Sequence, residues 1–167
     1  MGTAKKYRSG MFAGKFMPYH LGHLYCLRTA SELCDRVYQI LMTGCVDEEK
    51  ILRSVPPEER EALSPENRYR AMKAAGELLG NVETIRMDIS ACRTPEGEED
   101  WDAETPLVLE SCGRFEAVFG SEPGYAPYFE RAYPWADYIQ VDPPRIHYPI
   151  SGTRIREAWE DSRRWRV

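Results

Sequence analysis

Nowhere in this sequence do apolar residues run on for the ~18 positions that a membrane-spanning helix requires, so a helical integral membrane protein is excluded. No CxxC pair occurs either. The five cysteines, Cys26, Cys34, Cys45, Cys92 and Cys112, are odd in number and scattered, which suits reduced packing thiols rather than a disulfide framework or a zinc site. Basic charge is in deficit: Lys+Arg 22 against Asp+Glu 27 gives a formal net charge of -5. Broad nucleic-acid binding leans on a basic surface, so no nucleic-acid partner is expected, and any anionic ligand must be held locally. There is no GxxxxGK[ST] loop, no internal repeat and no low-complexity tract. The start "MGTAKKYRSG" has basic residues with no apolar stretch behind them and no small-residue cleavage site, which predicts a cytoplasmic protein.

What is present is ordinary in bulk. With 43% hydrophobic and 29% charged residues over 167 positions, the chain is expected to form one domain, 1–167, with a core that needs no staple. Acid gathers in "DEEK", "PPEERE" and "EGEEDWDAE", whereas Arg145, Arg154 and Arg156 crowd the C-terminal part ahead of "SRRWR". That asymmetry fits a local phosphate site or a solvated helix face.

Met11 to Phe16 reads as a strand that runs into a turn at Pro18, then a helix with Leu21, Leu24, Leu27 and Ala30 on one side. Arg36–Met42, Val82–Ile89, Phe115–Gly120 and Asp137–Asp142 read as further strands. Between them fall a helix with Ser64 as N-cap, Pro65 at its first position and Gly80 as its stop, a helix from Thr105 to Cys112, and a helical segment Tyr125–Tyr133. Alternating strands and helices predict an α/β fold: a doubly wound, Rossmann-like parallel sheet of about five strands, with ligands at the carboxyl ends of the strands. The long connections 46–63 and 93–104 read as lids or disordered insertions.

Two stretches carry chemistry. In "GKFMPYHLGH", His20 and His23 sit three apart at an expected helix start, ~60° apart around the axis and ~4.5 Å along it, so both imidazoles can reach one ligand. Gly22 removes the side chain between them. Free N–H groups and the positive end of the helix dipole favour an anion there, and Lys15 on the preceding strand adds a mobile charge. A metal pair is the competing reading, but no third His or Cys stands nearby in sequence and HExxH is absent; plain structural histidines are the other. In "HYPISGTRIR", Ser151, Gly152 and Thr153 open a second helix whose hydroxyls and N–H groups meet an anion, with Arg154 and Arg156 one turn inside. Two such helix starts facing one crevice suit a nucleoside triphosphate. Neither offers a protein nucleophile with its base, so direct attack of a second substrate on the α-phosphate is the economical mechanism.

"GKFMPYHLGH" resembles the G-[RK]-F-x-P-x-H-x-G-H signature of the HxGH nucleotidylyltransferase superfamily, and "ISGTRIR" resembles its second signature, [IY]-S-[GST]-T-x-[IV]-R. With "VFGSEPGYAPYFERAY" and "VDPPRIHYPISGTRIR", the chain looks most like nicotinamide-mononucleotide adenylyltransferases of the NadR-like and archaeal type; "ENRYRAM" is similar to an Arg-containing helix of that family, and "CVDEEKILRSVPPEERE" has no clear counterpart. The resemblance implies ATP and a divalent ion, usually Mg²⁺, carried by the ATP phosphates with no metal-ligating residue assigned. It implies the reaction NMN + ATP to NAD + pyrophosphate, with nicotinic acid mononucleotide as the close alternative acceptor. By motif position His20, His23 and Arg154 are its catalytic residues. Gly14, Lys15, Phe16, Gly22, Arg145, Ser151, Gly152 and Thr153 join them in binding ATP, and Trp101 is the candidate ring that stacks on nicotinamide. Another acceptor in the superfamily (phosphopantetheine, or an alcohol phosphate with CTP) and a non-catalytic nucleotide-binding regulatory module stay open. So does a homo-oligomeric state.

Overall fold

The structure is a computed structural model that describes residues 4–163. Five parallel strands, β1 (Tyr7–Gly14), β2 (Cys34–Thr43), β3 (Val82–Asp88), β4 (Ala117–Gly120) and β5 (Asp137–Gln140), form one sheet in the order β3-β2-β1-β4-β5. The helices are α1 (Leu21–Leu33), α2 (Glu48–Ser54), α3 (Pro57–Arg60), α4 (Pro65–Leu79), α5 (Trp101–Cys112), α6 (Ala126–Ala132) and α7 (Gly152–Arg163). The chain winds one way from β1 to β3 and the other way from β4 to β5, so the strand order reverses between β1 and β4. That reversal opens a crevice at the carboxyl ends of β1 and β4.

Period-two alternation along the strands sorts the core into two layers. Phe12, Leu41, Ala117 and Phe119 face one side, where Cys26, Leu27 and Ala30 of α1 and Met72 and Ala75 of α4 cover them. Met11, Ile40, Met87 and Val118 face the other, under Val108 and Cys112 of α5, with Phe129 of α6 packed against them. The sheet is therefore wound on both faces, as expected. All five cysteines are buried and free, Cys26 and Cys34 in the first layer and Cys45, Cys92 and Cys112 in the second. No helix among the described residues is long and apolar enough to cross a membrane.

The boundaries depart from the sequence reading in instructive ways. The first strand starts at Tyr7 and ends at Gly14, which puts Lys15 and Phe16 in the turn rather than on the strand. Leu21, expected on the covered side of its helix, is 55% exposed; it is the first residue of α1. Ser64 and Gly80 bracket α4 as expected: the Ser64 hydroxyl accepts from Asn67 N, and Gly80 ends the helix at φ 85°. The 46–63 connection is helical, holding α2, α3 and a 3-10 turn at Glu61–Leu63. The 93–104 stretch is tied down by Arg93, which donates to the carbonyls of Ile89 and Gly44. Helix α5 begins four residues earlier than expected, because the Asp100 carboxylate caps Ala103 N, so Trp101 opens a helix instead of sitting in a loop. The basic residues Arg164 and Arg166 lie outside the described residues.

Candidate functional site

The turn after β1 is built around two histidines that cap each other. His20 is the N-cap of α1 with extended backbone; its Nδ1 accepts from Gly22 N at 3.1 Å and His23 N at 3.4 Å, while His23 Nδ1 accepts from His20 N at 3.1 Å. This is a capping box with imidazoles in place of the usual hydroxyl and carboxylate. The hydrogen-bond pattern assigns both rings the neutral tautomer with the proton on Nε2, which leaves each ring one N–H donor beyond the cap. The rings stack at 3.6 Å. Burial, with help from the Arg145 charge, pushes His20 down to about 4; burial first, then His20 and Arg145, hold His23 well below the ordinary histidine value. Gly22 is required here: a Cβ would stand 2.9 Å from His20 Cε1.

Phe16, at φ 54°, buries its ring edge-on against His23 at 4.7 Å, so it sets the imidazole's position from behind. Lys15 Nζ reaches Asp47, the N-cap of α2, at 2.5 Å. Beneath the turn lies Arg68 of α4, which is 1% exposed; it donates to the carbonyls of Lys15 and Leu63, both at 2.8 Å, and pairs with Glu48 of α2. Helix α4 thus locks the backbone of Lys15 in place through Arg68.

The second stretch meets the first directly. Ser151 caps α7 by accepting from Arg154 N at 3.1 Å, and Gly152 packs so closely on the turn that a Cβ would lie 2.8 Å from Met17 O. Arg156 donates to the same Met17 carbonyl and lies near Thr153. Arg154 reaches back to Pro149 O at 3.0 Å. Ser151, Gly152, Thr153 and Arg154 border the turn but do not line the cavity beside it, whereas Arg145 does, donating to Ile150 O and to Glu122.

Two cavities open at the crevice. The first, about 190 Å³, is walled by Gly14, Lys15, His20, Gly22, His23 and Arg145, together with Gly120 and Ser121 at the end of β4. The second, about 380 Å³, is walled by Trp101, Tyr125, Tyr128 and Phe129 with the carboxylates of Asp47, Glu99 and Glu104. They share Ala13, Gly14, Lys15, Tyr125 and Phe129. Trp101 is held edge-on to Tyr125 at 5.2 Å and to Tyr128 at 5.3 Å, and its indole N–H points to Glu99 at 3.3 Å.

Sequence reasoning passed over Arg68, Glu104, Tyr125 and Tyr128. The signal was present for the first two. Arg68 shares the buried stripe of α4 with Met72 and Ala75, and Glu104 that of α5 with Val108 and Cys112. A charge on the core-facing stripe of a helix marks a buried group that needs a partner.

No protein-family model matches the sequence. Solved structures do match in fold. A bifunctional NMN adenylyltransferase/ADP ribose pyrophosphatase from Francisella tularensis superposes with a TM-score of 0.65 at 20% identity, over 93% of this chain and 43% of that one. The same kind of protein from that organism, complexed with AMP and Mn ion, gives 0.58 at 21% identity over 91% and 41%. The NadR protein in complex with NAD and AMP-PNP gives 0.62 at 20% identity over 93% and 43%. The chain therefore spans less than half the length of these proteins, and the expected Rossmann-like, doubly wound parallel sheet is the fold it shares with them.

Proposed function

We propose that a chain with this fold and these two adjoining cavities transfers the adenylyl group of ATP to nicotinamide mononucleotide, giving NAD and pyrophosphate. The observation that carries the reading is the shared wall at Gly14 and Lys15, with an anion-suited helix start on one side and an aromatic, acidic chamber on the other. ATP phosphates belong at the Nε2 donors of His20 and His23, whose Nδ1 atoms already satisfy the N–H groups of the α1 start, and at the cations Lys15 and Arg145, with the positive end of the α1 dipole behind them. Neutral histidines suit this role because a fixed N–H donor stabilises charge that grows on the phosphate without itself having to lose a proton. Ser151, Thr153 and Arg154, held against the same turn through Gly152, take the outer phosphates when the polyphosphate spans both helix starts. The acceptor's ring enters the second chamber, where Trp101 and its tyrosines offer π-faces beside carboxylates, an environment that favours a pyridinium cation.

In the transfer, a phosphate oxygen of the acceptor attacks the α-phosphorus of ATP. The bond from that phosphorus to the bridging oxygen breaks, and pyrophosphate leaves. No protein nucleophile is needed; the residues orient the two phosphates in line and stabilise charge. Among the described residues no group of three or more His, Cys, Asp or Glu forms a cation cage, and Asp47 is engaged with Lys15, so the site fits a divalent ion ligated chiefly by the nucleotide. Such an ion neutralises charge on the phosphates. One of the neighbours in fold was solved with Mn ion and another with NAD, which supports a divalent ion and a dinucleotide product here.

The test is pyrophosphate release with ATP and Mg²⁺ over an acceptor panel of NMN, nicotinic acid mononucleotide, phosphopantetheine and glycerol phosphate. A mononucleotide is expected to give the highest kcat/KM. Preference for phosphopantetheine would overturn the assignment, and nucleotide binding without turnover on any acceptor would point to a regulatory module.

A further inference from the structure

Three buried side-chain atoms have no hydrogen-bond partner among the described residues: the Tyr19 hydroxyl, Gln39 Oε1 and Glu104 Oε1. Only Glu104 belongs to the wall of either cavity, the aromatic one. Its side chain stands on the buried stripe of α5, the residue 6% exposed. An acceptor oxygen kept dry without a donor is destabilising, so a ligand or an ordered water that donates to it would complete it.

The neighbouring carboxylates are already engaged. Asp47 takes the Lys15 ammonium, and Glu99 accepts from Val46 N at 3.2 Å and from the Trp101 indole at 3.3 Å. The cations are engaged too. Among the described residues Lys15 is the one cationic residue lining this cavity, and Arg93 spends its guanidinium on the carbonyls of Ile89, Cys92 and Gly44. Among the described residues the chamber therefore offers an arriving ring a carboxylate with one buried, unpartnered oxygen and no cation beyond Lys15. Resting on the adenylyl-transfer reading above, we propose that Glu104 determines acceptor specificity: its carboxylate accepts an N–H of a carboxamide borne on a cationic aromatic ring and repels a carboxylate in the same position. Donors are what the site is built to receive, and a site with a buried group left for one partner rejects the analogue that cannot supply it.

The ionisable groups facing Glu104 are Glu99 and Asp100 ahead of α5, Arg93 after β3, Cys92, and Tyr128 of α6. Burial, then the Glu99 charge, push its carboxyl up to about 7, so it is mostly ionised at pH 8.

The experiment compares kcat/KM for NMN and for nicotinic acid mononucleotide at pH 8, with saturating ATP and Mg²⁺, in the wild type and in Glu104→Gln. The wild type should favour the carboxamide by about tenfold or more, and in the variant, whose amide can donate to a carboxylate, that ratio should collapse by about tenfold with the ATP KM unchanged. A wild type indifferent to the two acceptors refutes the proposal without any variant. An unchanged ratio in a folded Glu104→Gln also refutes it, since a merely structural side chain would lower both acceptors together. Calorimetric titration of both mononucleotides onto the wild type reads the same preference apart from turnover. If neither is bound or adenylylated, the adenylyl-transfer reading has failed and takes this one with it; an active enzyme with an insensitive ratio sinks Glu104 alone.

Discussion

Arg68 donates from Nη1 to the carbonyl oxygen of Lys15 at 2.8 Å, across 53 positions of sequence. The same guanidinium pairs with Glu48 and holds Leu63 O, so one buried cation fixes the histidine-bearing turn to the helical insertion that covers it. Arg68→Met should cost about 3–5 kcal/mol, because Glu48 is left as an uncompensated buried charge. Urea unfolding measures it. Adding Glu48→Gln should recover part of the loss, and strict additivity of the two changes would show that the pair is not coupled.

The two functions of His20 separate by substitution. Asn can replace its Nδ1 as an N-cap acceptor but has no Nε2–H to reach the phosphates. His20→Asn should therefore melt close to the wild type while kcat falls by about 10². His20→Ala should lose about 1 kcal/mol of stability as well. Near-normal turnover in both variants would remove His20 from the chemistry.

Acid should act on this protein through the histidines before the chemistry feels it. An unfolded chain takes up protons at its histidines near the ordinary value of about 6.5, whereas the folded His20 resists until about 4. Below the unfolded value the unfolded state binds more protons, so stability falls as pH drops from 6.5 towards 4. Glu104 has the opposite sign: with its carboxyl raised to about 7, the folded state holds the extra proton and stability declines as pH rises through 4.5 to 7. Melting temperatures of Glu104→Gln should exceed the wild type's at pH 8 and converge with it near pH 5. ¹⁵N shifts of His20 and His23 in the free protein should show neutral Nε2–H rings down to pH 5; charged rings at these two positions at pH 6 would contradict the capping geometry.

The alternation of strands and helices was legible because strand and helix periods are written in apolar spacing, and the wound sheet follows from them. The His20 helix start, the Ser64 and Gly80 boundaries and the Ser151 cap were legible for the same reason: capping is a local property of a few residues. What could not be read was the pairing of distant charges. Nothing adjacent to Arg68 announces Glu48 or the Lys15 carbonyl, and a helix boundary moved by one capping aspartate, Asp100, changed the setting of Trp101 from loop to helix. The helical content of 46–63 was hidden because its short helices carry charge on most faces and depend on tertiary contacts at Val55 and Leu63.

Trp101→Ala should raise the acceptor KM by the equivalent of about 0.5–2 kcal/mol, the range of a cation–π contact, and leave the ATP KM unchanged. Steady-state kinetics with each substrate varied in turn gives the answer. An equal rise in both KM values would mean that the indole only props the cavity wall through Tyr125 and Tyr128.

The five buried thiols give the molecule a property unrelated to nucleotides. Burial raises Cys26, Cys34, Cys45 and Cys112 to about 12 and raises Cys92 as well, so the reactive thiolate is scarce wherever the fold is closed. Cys26 and Cys45 line the two cavities, whereas a thiol reagent can label Cys34, Cys92 and Cys112 only when their own layer opens. Cys34 reports on the α1 and α4 side of the sheet and Cys92 and Cys112 on the α5 and α6 side, so the order in which these three are labelled would time the separate opening of each half without any introduced probe.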